Sequence, residues 1–187
     1  MFSKACTAPH MKPTDLVLTP RGLRFAGRIF PCSIGRSGLT DCKREGDRAT
    51  PQGTHRLVGM LYRPDRMQRP TDWAVPIRPG DLWSDDPSDE DYNMMVRAPY
   101  DARHEPLRRS DPLYDLVILT DWNWPYAVPG RGSAIFIHRW RRAGYPTEGC
   151  IGISPTDLQW IAPRIRYRTR LIVPEVGRSG RAITEYR

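Results

Sequence analysis

Long apolar runs are missing from these 187 residues. No stretch approaches the ~20 apolar residues that span a bilayer, so no membrane span is expected. The opening Met1-Phe2-Ser3-Lys4-Ala5-Cys6 lacks the apolar centre of a secretory signal. Cysteine is scarce, at positions 6, 32, 42 and 150, and no two form a CxxC pair. That spacing excludes the familiar tetrahedral zinc, haem-attachment and dithiol redox patterns, so neither metal nor cofactor is expected. Cys32 and Cys42 read as free thiols, because the Gly35-Arg36-Ser37-Gly38 turn between them does not demand a bridge. Ser133 lacks the G-x-S-x-G surround of a serine nucleophile, and Gly130-Arg131-Gly132-Ser133 lacks the continuation of a phosphate loop. Internal repeats and low-complexity tracts are absent as well.

Proline and positive charge are plentiful. Nineteen prolines punctuate a chain already poor in helical periodicity, which points to strands and ordered loops. Twenty-nine Lys and Arg against 21 Asp and Glu leave a net charge of +8, which favours anionic partners without choosing among them. The basic clusters are Arg139-Trp140-Arg141-Arg142 and the run from Arg164 to Arg170. They come without a zinc-finger pattern, RNP aromatics or a heptad-backed basic region, so no nucleic-acid partner is expected. A non-catalytic basic module that binds a polyanion is the competing reading.

Hydrophobic content of 39% supports one globular domain with its own core. The reading is a flexible tail over 1–13, a single domain over 14–176 and a C-terminal tail over 177–187, with Cys6 in the first tail. Strands are expected over 15–19, 23–30, 54–62, 114–120, 133–138 and 169–173. One helix should begin at Ser154-Pro155-Thr156-Asp157, with serine as N-cap, proline at the first position and an acid in the first turn. Leu158, Ile161 and Ile165 share its apolar face, and Pro163 should bend or shorten it. Residues 63–112 hold eight of the prolines and an acidic patch. Trp83, Tyr92 and Tyr100 mark this stretch as an ordered loop excursion able to wall a cleft.

Cys150 lies in Pro146-Thr147-Glu148-Gly149-Cys150, twelve positions after His138. A thiol on a glycine-preceded turn, with an imidazole mounted at the end of a strand, is the equipment of nucleophilic acyl transfer. Alternation puts Ala134, Phe136 and His138 on one strand face. The imidazole is expected to lower the thiol pKa, while backbone N–H groups at Gly149 and Cys150 receive the oxyanion. Thr147 or a nearby backbone carbonyl would orient the imidazole. His10 and His55 have no supporting context.

Four segments in this order resemble the YkuD-type L,D-transpeptidases, cysteine enzymes that remodel bacterial peptidoglycan. They are Gly35-Arg36-Ser37-Gly38; Lys43 to Asp47 leading to Thr50-Pro51-Gln52-Gly53; Pro129 to His138; and Pro146 to Cys150. Glu148 and Gly152 depart from the commoner signature, which has histidine before the Gly-Cys pair and arginine or asparagine two residues after the cysteine. The chain is similar to a compact branch with Thr-Glu-Gly-Cys. The resemblance implies a mainly β fold, a sandwich or barrel-like sheet with one or two short helices. It also implies a ping-pong reaction on peptidoglycan stem peptides, with carbapenem-type inhibitors as acylating agents and the periplasm as location. Cys150 would attack a donor tetrapeptide and release D-alanine. The acceptor would be the amine of diaminopimelate or of the L-alanine that begins a stem. Hydrolysis of the same acyl-enzyme, giving an L,D-carboxypeptidase or amidase, is the alternative. Arg131, His104, Tyr92, Trp83 and Glu148 are the candidate substrate contacts; a solvated turn role is the alternative for Arg131, loop structure for His104, and core or loop-anchor roles for Tyr92 and Trp83.

Overall fold

The computed structural model describes residues 11–175. The expected tails lie outside that range except for 11–13, as do Cys6, His10 and the last position of the expected domain, 176. Lys12 and Pro13 are tied down: the Lys12 N–H donates to Asp15 at 2.6 Å, and Pro13 O accepts from the Ala26 N–H at 3.3 Å.

The fold is mainly β, with a single short α-helix among the described residues. Its central element is the ten-residue strand Gly53–Tyr62. The first half pairs antiparallel with Arg170–Val173 and the second half with Leu116–Thr120, so one strand belongs to two half-sheets. On one side the sheet continues through Leu16–Thr19 and Gly22–Phe25 to Arg28–Phe30. On the other it runs through Phe136–Arg139 and Ile151–Ile153 to Cys32–Ser33. The two edge strands are separated in sequence only by Pro31, which obliges the sheet to curl until its edges nearly meet. Sheet twist makes such near-closure accessible to short strands.

Alternation along the strands divides the apolar residues between two cores. Leu116, Ile118 and Ile137 face the larger, which also takes Leu16, Phe30, Met60 and Ile151. The helix Pro155–Ile161 caps this core with Leu158 and Ile161; Ser154 Oγ accepts the Asp157 N–H at 3.0 Å. Pro163 follows in a 3-10 turn over Ala162–Arg164, which ends the helix and still lets Ile165 bury its side chain. The opposite face presents Leu61, Val117 and Phe136 to the smaller core.

That smaller core is roofed by the excursion, which is more regular than its prolines suggest. Asp81–Ser84 is the middle strand of an antiparallel three-stranded sheet, flanked by Met95–Arg97 and His104–Pro106. Each strand has only three or four residues, too few for alternation to be read from sequence. Trp83 and Leu107 reach down to Phe136; the Trp83 and Phe136 rings meet edge-on at 4.9 Å.

The strand expected over 133–138 begins only at Phe136 and runs to Arg139. The chain kinks at Ala134, whose φ of 51° puts a non-glycine residue in the left-handed region. Asn93 of the excursion holds the kink by accepting the Ala134 N–H at 2.9 Å.

Candidate active site

The four sequence segments converge on the turn that carries Cys150. The Thr147 N–H donates to Ile34 O at 2.9 Å, and the Arg36 N–H donates to Thr147 O at 2.9 Å. Thr50 Oγ1 accepts the Gly35 N–H at 2.9 Å and donates to Gly149 O at 2.8 Å. Glu45 takes the Ser133 hydroxyl at 2.9 Å, and its own N–H donates to Gly130 O at 2.8 Å. Residues distant in sequence thus form one hydrogen-bonded scaffold behind the cysteine.

Gly35 shows how tightly that scaffold is packed. A Cβ there would sit 2.4 Å from Arg48 O, a backbone atom that cannot swing aside. Gly35→Ala is expected to cost roughly 3 kcal/mol, on the order of 10 °C in Tm, measured by thermal unfolding.

Cys150 and His138 open into one cavity of about 440 Å³. The thiol donates to Ala134 O at 2.9 Å, and its sulfur accepts the Phe136 N–H at 3.4 Å. The Ala134 kink is therefore what aims a carbonyl at the sulfur. His138 is buried, and its Nδ1 lies 2.7 Å from Arg139 O. A carbonyl can only accept, so Nδ1 carries the hydrogen and Nε2 the lone pair. The orienting group is that carbonyl. Thr147 serves the turn instead: its hydroxyl donates to Cys150 O at 2.6 Å and accepts the Gly149 N–H at 3.2 Å.

Two expectations change here. Burial pushes the Cys150 thiol up to about 12, and burial, helped by the charges of Arg109 and Arg141 and opposed by the Arg139 carbonyl, leaves His138 at about 4. Both groups rest neutral at physiological pH, so the site holds a thiol and an imidazole rather than the expected ion pair. The second change concerns the oxyanion donors. Gly149 has its N–H committed to Thr147, while the Cys150 N–H has no partner among the described residues. Gly149 contributes shape: at φ +136° its backbone is one that side-chain-bearing residues rarely adopt.

A resting thiol reacts slowly with soft alkylators. At pH 8, iodoacetamide is expected to label exposed Cys42 at least tenfold faster than Cys150, read by peptide mass mapping.

Of the expected substrate contacts, Glu148 alone lines the cavity. It is exposed and pairs with Arg48 at 3.1 Å and Arg36 at 3.8 Å. Arg131 is turned onto the Trp122 ring, 5.5 Å from its centre. His104 binds Ala102 O at 2.7 Å within the excursion. Tyr92 is buried and donates to Glu45. Trp83 is buried in the smaller core, its indole N–H on Asn93 at 3.1 Å. None of these four lines the cavity; Trp83 and Tyr92 anchor the excursion instead, because large aromatics gain most by burial beneath it.

Other residues take their place on the wall. Arg36, Arg109 and Arg141 supply positive charge, and Glu105 and Tyr114 share the wall with Cys150 and His138. The Tyr114 ring meets the His138 ring edge-on at 5.3 Å, and its hydroxyl donates to Glu105 at 2.9 Å. Burial is the main reason that the Glu105 carboxyl is pushed up to about 7. The strand expected from 114 begins at Leu116, with Val117 opposite His138; the fold of the preceding turn, which brings the Tyr114 ring onto His138, has no signal in the sequence.

The family model described as the L,D-transpeptidase catalytic domain, YkuD, matches residues 17–173. Among solved structures, an L,D-transpeptidase from Mycobacterium smegmatis is similar at 16% identity and a TM-score of 0.40, over 86% of this chain and 57% of that one. The chain thus spans little more than half the length of that protein. Among curated proteins, none matches.

Proposed function

Since the chain belongs to the YkuD family of L,D-transpeptidase catalytic domains, we propose that it cross-links peptidoglycan through an acyl-enzyme on Cys150, with 14–176 as the catalytic unit. The observation that carries this reading is the shared cavity of Cys150 and His138, with the imidazole's free nitrogen set by the Arg139 carbonyl.

In the proposed reaction the thiol leaves the Ala134 carbonyl and gives its proton to Nε2 of His138 as sulfur attacks the donor. The attacked carbonyl is that of the L-centre of diaminopimelate in a stem tetrapeptide. The Cys150 N–H is the donor available to the oxyanion. Collapse breaks the C–N bond, and the proton on His138 passes to the departing nitrogen of D-alanine. An acceptor amine, from diaminopimelate or from the first L-alanine of a neighbouring stem, then takes the acyl group and restores the thiol. Arg36 and Arg141 on the cavity wall suit the carboxylates of such peptides. The periplasm is the compartment where this substrate is met. Among the described residues, no helix is long and apolar enough to cross a membrane.

The test is to incubate the protein with tetrapeptide-bearing muropeptides and weigh the products. Cross-linked dimers together with free D-alanine are the expected result. Tripeptide monomers alone would mean that water, not an amine, takes the acyl group. No change in the muropeptides would overturn the reading.

A further inference from the structure

Aminolysis of a thioester has a proton to remove that thiol attack does not. The acceptor arrives as an ammonium and has no lone pair until it gives up that proton. His138 retains little basicity, because burial and the guanidinium groups of Arg109 and Arg141 oppose its charging. Glu105 differs: at about 7, its carboxyl both takes and releases a proton near neutral pH.

Geometry places this carboxyl with the reactive pair. Glu105 lines the cavity that holds Cys150 and His138. One of its oxygens, Oε2, accepts the Tyr114 hydroxyl at 2.9 Å, and the ring of that tyrosine packs against His138. Its charge is felt at the Cys150 sulfur. The other charged groups around it are Asp85 and Glu45, which favour a cation beside it, and Arg109, which is engaged by Asp111 at 2.6 Å.

We propose that Glu105 is the base that deprotonates the acceptor ammonium, a catalytic group distinct from His138 and held in place by Tyr114. The inference rests on the transpeptidase reading above. In the step, one N–H bond of the ammonium breaks and its proton goes to a Glu105 oxygen, leaving the lone pair on nitrogen. That pair forms the new C–N bond at the thioester carbonyl. The nitrogen's second proton passes to His138 Nε2, the C–S bond breaks with its electrons going to sulfur, and His138 returns that proton to the thiolate. Glu105 then releases its proton to solvent, and both charge and atoms balance.

Glu105→Gln tests this, since the carboxamide oxygen can still accept from Tyr114. Acyl-enzyme formation and its aminolysis are timed separately by intact-protein mass. Aminolysis by a diaminopimelate-containing acceptor is expected to fall ~100-fold at pH 7, with acylation changing less than about tenfold. Hydroxylamine, largely unprotonated at neutral pH, should discharge the variant's acyl-enzyme at close to the wild-type rate. Tyr114→Phe serves as the second variant. Loss of its hydrogen bond to the charged carboxylate moves the Glu105 titration upward, so the pH midpoint of aminolysis should rise. Equal loss in both half-reactions, equal loss with hydroxylamine, or wild-type aminolysis by Glu105→Gln would overturn the assignment. Failure of the wild-type protein to acylate at all would instead overturn the transpeptidase reading on which it rests.

Discussion

Cys150→Ala is expected to lose at least about 10⁴-fold of the activity on tetrapeptide muropeptides and to take up no carbapenem, while still folding. Removing a nucleophile leaves only binding and the oxyanion donor, neither of which can form a thioester. The fold should survive because the sulfur lies at the edge of the smaller core, not within it; Leu61, Val117 and Phe136 still pack there. Its two contacts are with Ala134 O and the Phe136 N–H, both backbone groups that the Asn93 bond helps to hold. Thermal unfolding and intact-protein mass measured on the same sample separate loss of chemistry from loss of structure. A variant that unfolds, or one that retains turnover, would contradict this assignment. A polyanion-binding module would behave differently: its binding would weaken with salt and ignore the substitution.

The second large effect belongs to His138. His138→Gln is expected to lower acylation by about 10²- to 10⁴-fold, the usual contribution of a positioned proton-transfer group. Its pH dependence follows from the direction of the shift. The imidazole titrates at about 4 when folded against an ordinary 6.5, so the folded protein resists a proton that the unfolded chain accepts. The associated stability is fully present above 6.5 and is lost as pH falls from 6.5 through 4. Over that window the wild type should lose about 3 kcal/mol more than His138→Gln, a difference readable in denaturant titrations. Wild-type acylation should correspondingly persist down to about pH 4, well below the range of an ordinary histidine. An acid limb near 6.5 would mean that the imidazole is not buried as described.

The chemistry of this site was legible where it depends on residues close together in sequence. Thr147-Glu148-Gly149-Cys150 is turn-forming, and the structure makes it a turn braced by the Thr147 hydroxyl. Ser154-Pro155 announces a helix start, and the Ser154 side chain does cap it. The apolar run ending in His138 carries the imidazole on the face shared with Phe136, as alternation requires. What remained hidden depends on how distant segments meet. Nothing local in Ala134-Ile135 forecasts the left-handed kink, because Asn93, 41 residues away, fixes it. Trp83 and Tyr92 advertise an ordered excursion, but composition does not reveal which of its residues look inward. Glu105 and Tyr114 were missed for the same reason: an isolated carboxylate and an isolated tyrosine gain meaning only once the excursion folds over Phe136–Arg139. The resting charge state depends on burial, which the spacing of His138 and Cys150 does not reveal. An imidazole near a thiol lowers the thiol pKa only if it is charged, and burial keeps both groups here neutral.

The most direct measurement is to quench the protein with a tetrapeptide donor in the absence of acceptor, digest it and locate the added mass. An adduct equal to the donor less D-alanine, carried by the peptide that contains Cys150 and discharged when an amine is added, is the predicted result. Release of D-alanine without that adduct, or an adduct on Cys42 or Cys32 instead, would contradict the account.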